Sequence, residues 1–248
     1  MTKLLRADMI RMFRTRAMHM MILLFAGFII LEGWISSGED VESEGHMFSS
    51  IIFGMGSMLL PMFVSIGICL IIGAEFTGGG IRNKMTVGHT RQGIYGSWLI
   101  CSFVITLAME AILIVSSVAA ACIFGKNIDI SDINVKALVI NLLVMTVCIL
   151  SFTAVIVLFC TLFKGYKSVA VAFIYNEATM MIFSMLGEMY KTSEGYKLAS
   201  RFFIQAQMKF YTATEVTDSP WLTVLCSGVL GIAATIAGIV SFRNQDLK

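Results

Sequence analysis

The chain has 248 residues, of which 57% are hydrophobic and 14% charged, with a mean hydropathy of +0.84. An average soluble domain carries roughly 25% charged residues, so this composition, with its repeated apolar stretches of membrane length, argues against a soluble fold. The formal net charge of +2 says little in bulk, and the short alternating segments of an outer-membrane barrel are absent.

Residues 3–16 are basic, with Leu, Met and Phe interspersed. On a helical projection Leu5, Met9, Met12 and Phe13 share one side and Lys3, Arg11 and Arg14 lie away from it, while Leu4 and Ile10 break the pattern. The segment reads equally as an interfacial helix on an anionic leaflet or as a basic topology anchor. It is too long and irregular for a cleaved leader. The first span is expected over residues 17–35, followed by an acidic tract with Glu39, Asp40, Glu42 and Glu44. A second span over 51–74 contains Pro61, which should bend it or free a carbonyl of the preceding turn. Residues 75–96 are polar, with Arg82, Lys84 and Arg91 and no acid after Glu75. Glycines 78, 79 and 80 permit a sharp turn there.

Further spans are expected over 97–124, 135–163, 169–186 and 221–242. The link after 163 is short enough to make a tight hairpin, and 188–219 is the longest polar stretch, expected at the outer surface. Of the 18 Lys and Arg, 12 fall in the N-terminal segment, 75–96, 164–168 and the C-terminal tail. By the positive-inside rule both termini are then cytoplasmic. The expected fold is an all-α membrane protein, a single domain of six transmembrane helices.

Chemistry-bearing patterns are sparse. There is no P-loop, HExxH or GxSxG motif, and His19, His46 and His89 lie in different segments, so no metal site is expected. The six cysteines sit in or beside apolar runs without CxxC spacing and read as small buried hydrophobes. Two acids lie at membrane depth, where charge is costly. Glu110 shares a face with Ser102, Thr106 and Ser117, a stripe that could line a cavity or a subunit contact, or hold helices together through a hydrogen-bonded carboxyl. Glu177 lies beside Asn176, about a turn from Met181, and reads either as a pathway wall or substrate counter-charge, or as a protonated or hydrogen-bonded carboxyl holding helices together. Ser227, Gly231 and Thr235 recur at every fourth position, beside Ala233, Ala237 and Ser241, a small-residue ladder suited to tight packing.

The stretch GAEFTGGGIRNKMTVGHTRQGIY resembles the signature of the permease subunits of ABC-2 type exporters. In that signature an acid–aromatic pair (Glu75, Phe76) leads into a Gly-rich turn (Gly78, Gly79, Gly80), then Ile81, an Arg-Asn-Lys run (Arg82, Asn83, Lys84) and a later Arg-x-x-Ile-Tyr (Arg91, Ile94, Tyr95). Gly80 stands where Thr is usual. The resemblance implies a half-transporter of the type V exporter kind in a bacterial cytoplasmic membrane. It would pair with an identical or homologous permease and with two copies of a separate ABC ATPase. It implies that the segment after the second span forms a coupling helix docking on that ATPase, with Arg82, Lys84 and Arg91 seated in an acidic or polar groove. Glu75 would then bridge to a nearby arginine or to the N-terminal helix. ATP and Mg would be bound by the partner and no cofactor by this chain, which would not itself be an enzyme.

Cargo of such permeases includes amphipathic or antimicrobial peptides, as in lantibiotic or phenol-soluble-modulin export, and hydrophobic compounds. The 18 Met and 18 Phe lean toward the first. A secondary transporter driven by an ion gradient through Glu110 and Glu177 is an alternative, and a non-transporting scaffold or sensor another. Nucleic-acid binding has no support, because the basic residues follow topology and form no patch.

Overall fold

The computed structural model describes residues 2–37, 50–124, 134–190, 193–203, 217 and 219–245. Six of its helices are long and apolar enough to cross a membrane, and no strand occurs among the described residues.

Helix α1, Thr2–Phe13, is followed by α2, Arg16–Ser36. The break falls at Thr15, which is extended at ψ 126° and turns its hydroxyl back onto Arg11 O at 2.8 Å. The inner face of α1 is Leu4, Asp8 and Met12, all buried, with Leu5 and Met9 partly so. This differs from the projected face: Phe13 is exposed and Leu4 is not. The rotation follows from Asp8, which finds polar partners inside the bundle. On α2, Met18, Met21, Phe25, Ile29 and Gly33 form the buried stripe, and Phe25 meets Phe63 at 5.2 Å between ring centres.

A π-helical turn, Ser50–Met55, leads into α3, Gly56–Thr77. The wider winding sits just before Pro61, whose ring and missing N–H disturb the turn upstream. Ser65 Oγ donates to Pro61 O at 2.6 Å. After Gly79 comes the short α4, Gly80–Thr86, and then α5, Arg91–Phe124. The 34 residues of α5 make a rod about 51 Å long, far more than the roughly 30 Å of a hydrocarbon core. It starts at Arg91 and not at 97, so the last turns of the polar segment belong to this long helix.

Asn134 caps α6, Val135–Phe163, accepting from Ala137 N at 3.3 Å. Lys164 and Gly165, both at positive φ, turn the chain into α7, Lys167–Tyr190. This turn lies against α3 so closely that a Cβ on Gly73 would stand 3.1 Å from the carbonyl carbon of Gly165. Helix α8, Glu194–Ser200, rests on the end of α7 through Tyr196, whose hydroxyl donates to Phe183 O at 3.1 Å. The last helix, α9, is Pro220–Asn244 and packs chiefly along α6. Its packed stripe is Thr223, Cys226, Ser227, Ala234, Gly238 and Phe242. Gly231 also meets Ser151, but Ala233 and Ala237 of the expected ladder face outward. The acidic tract 39–44, residues 125–133 between α5 and α6, and most of the polar stretch after 203 lie outside the described residues.

Candidate functional site

The ends of α1, α3, α4, α5 and α9 converge, and an ion cluster sits among them. Its centre is Lys84 on α4, with a side chain only 11% exposed. The ammonium lies 2.8 and 2.7 Å from the two carboxylate oxygens of Glu75 and 2.8 Å from Asp8 Oδ1. Its three donors are thus all used. Glu75, on the last turn of α3 and 3% exposed, also accepts from Arg11 Nη2 and from Trp98 Nε1, each at 2.8 Å. Asp8 accepts in addition from Ser97 Oγ at 2.7 Å. Two acids and two bases balance in charge, which is the condition for ions to remain out of water. The bridge expected from Glu75, to a nearby arginine or to the N-terminal helix, is made by Arg11 of α1. Phe76 packs beneath it, 5.5 Å from the Trp98 ring and 6.4 Å from that of Phe242.

The glycines shape the elbow. Gly79 is left-handed at φ 69° with no neighbour within 4 Å of an added Cβ, so its backbone and not its space demands glycine. At Gly80 a Cβ would meet Glu75 at an ordinary 3.6 Å; a side chain would start there without a clash, and the departure from Thr carries no steric meaning. Ile81 is buried and seats α4 on the bundle. Arg82, Asn83, Thr86 and Val87 face outward, Val87 at 77% exposure.

The structure corrects the expected basic docking face in two places. Lys84 points into the bundle. Arg91 donates through Nη1 to Arg243 O at 2.9 Å and also to Gln245 O, so it holds the end of α9. Tyr95 does the same work by packing. Its ring is fully buried in the space left by the missing side chain of Gly238 on α9. The Arg-x-x-Ile-Tyr element is thus a clasp between α5 and the last helix.

At membrane depth the two acids separate. Glu110 is buried and accepts from Thr146 Oγ1 on α6 at 2.7 Å. One turn away Thr106 meets Thr153 Oγ1 at 2.8 Å. Ser102, Thr106, Glu110 and Ser117 are all buried, so within this chain the stripe is an internal contact of α5. Glu177 on α7 is exposed, beside exposed Met181, whereas Asn176 is buried. Asn176 Nδ2 donates to Glu177 Oε1 at 3.2 Å, and no Lys, Arg or His among the described residues pairs with this acid. An ionised group at the centre of a lipid-facing helix costs about 2.5–3.5 kcal/mol on insertion scales.

Residues 2–179 match the family described as ABC-2 family transporter protein. The chain belongs to the ABC-2 transporter family. No curated protein matches it. As an ABC-2 permease it is a multi-pass membrane subunit, of a family whose members work with an ABC ATPase. The match takes in α1 through the first half of α7, hence the whole ion cluster. Four members of that cluster, Asp8, Arg11, Ser97 and Trp98, lie outside the ABC-2 signature. The one available signal is Asp8, the sole acid of the basic segment 3–16.

Proposed function

We propose that this ABC-2 permease is the transmembrane subunit of an ATP-driven exporter, and that a separate ATPase docks on the outward face of α4. The observation that carries the reading is the division of that helix. Arg82, Asn83, Thr86 and Val87 face outward, while Lys84 is bonded to α1 and α3, and Ser97 and Trp98 of α5 join the same cluster. A push on α4 therefore loads three other helices at once. In this reading the basic ends lie in the cytoplasm. The complete transporter holds a second permease copy, identical or homologous, and two ATPase subunits that bind ATP and Mg. It sits in a bacterial cytoplasmic membrane and moves amphipathic or antimicrobial peptides, or hydrophobic compounds, outward. The gradient-driven alternative is weakened because Glu110 is closed inside the bundle, hydrogen-bonded to Thr146.

The test uses Arg82→Glu and Asn83→Glu. Neither side chain is bonded inside the bundle, so both variants should insert normally while co-purification with the co-expressed ATPase and export fall together. Full export with an undisturbed complex would remove α4 from the coupling role.

A further inference from the structure

We infer that Glu177 is the cargo counter-charge and that the transported molecule is an amphiphile carrying a basic group; this rests on the export reading above. Helix α7 is divided lengthwise. Ser168, Ala172, Asn176, Thr179 and Phe183, spaced by three and four, are buried against the bundle. The opposite face presents Ile174, Glu177, Met181 and Met185, all exposed. Apart from Phe183 the inward side chains are small or polar, and apolar ones surround a single carboxylate pointing out. Glu177 is central in the apolar stretch Lys167–Gly187, about 15 Å from either end. A charge there needs a partner.

Among the described residues no base supplies one. The bases of the six spanning helices are Arg16, His19, Arg91, Lys136, Lys167 and Arg243, each within a turn of a helix end. An identical second copy meeting this face across a two-fold axis would bring another Glu177 and no base at that depth. Thr146 satisfies the other deep acid, Glu110, whereas Glu177 has only the Asn176 amide. On this inference the missing charge belongs to a transient occupant. Its apolar body lies along Ile174, Met181 and Met185, whose unbranched methionines adapt to varied shapes, and its ammonium or guanidinium meets the carboxylate.

The permease–ATPase complex in nanodiscs is titrated with a lysine-bearing amphipathic helical peptide and with its glutamine analogue of equal hydrophobicity. Binding and stimulated ATP hydrolysis are both measured. The lysine peptide should bind at least about tenfold more tightly, the difference one charge-assisted hydrogen bond supplies. Glu177→Gln should abolish that preference and Glu177→Asp retain part of it, with size-exclusion profiles confirming assembly. Equal binding of the two peptides to the unaltered complex, or a preference that survives Glu177→Gln, overturns the assignment. So does a Met181→Cys variant that cross-links quantitatively between copies whether or not peptide is present, since the face is then a permanent subunit contact. Failure of the chain to bind any ATPase would instead defeat the export reading itself.

Discussion

Replacing Lys84 with Met tests the ion cluster directly, because the aliphatic stem is kept and only the charge is lost. The ammonium faces Glu75 and Asp8, which are 3% and 8% exposed, at 2.7–2.8 Å. At about 3 Å and an effective dielectric of ~20, each attraction is about 5 kcal/mol before desolvation is subtracted. Removal leaves two buried carboxylates facing one half-exposed guanidinium, and breaking a buried pair in this way costs about 3–5 kcal/mol. Glu75→Gln costs less, about 1–3 kcal/mol, since Lys84 keeps Asp8. In the double variant the two changes should compensate partly, giving a coupling of about 1–3 kcal/mol. Equilibrium unfolding in mild detergent, followed by the fluorescence of Trp98 and of the other tryptophans, reads these differences. If Lys84→Met unfolds within about 0.5 kcal/mol of the unaltered protein, the range of an ordinary surface substitution, Lys84 is solvated and the linkage argument fails.

The clasp between α5 and α9 makes a paired prediction. Gly238→Ala drives a Cβ into the Tyr95 ring and should lower the unfolding midpoint clearly, whereas Gly228→Ala, with nothing within 4 Å, should be neutral or gain up to about 1 kcal/mol from helix propensity. Arg91→Ala should cost about 1–2 kcal/mol through the lost carbonyl contacts and raise amide hydrogen exchange in the last turn of α9. For Glu110, Thr146→Val leaves a buried carboxyl without its donor and should cost about 1–3 kcal/mol; in the same complex it should leave peptide selectivity unchanged, the opposite of Glu177→Gln.

Much of the architecture is a local property of the chain and was readable in it. A run of 20 or so apolar residues is driven into a helix and across a bilayer because each peptide group must bond within its own segment. That requirement is met residue by residue, before any helix meets another. The elbow was readable for a similar reason: three glycines and a basic run between two such segments permit few backbone courses, and Glu75 beside them needs a cation. What the residues alone left open was direction. Around a helix that is apolar on every side, lipid and protein interior look the same, so periodicity does not say which face is buried. Packing decided that Glu110 turns inward to Thr146 and Glu177 outward, that Asp8 rotates α1 away from its projected face, and that of the basic residues around the elbow Lys84 and Arg91 bind their own chain while Arg82 faces outward. These choices depend on which donors and acceptors arrive together from helices distant in sequence, and only the tertiary structure brings them together.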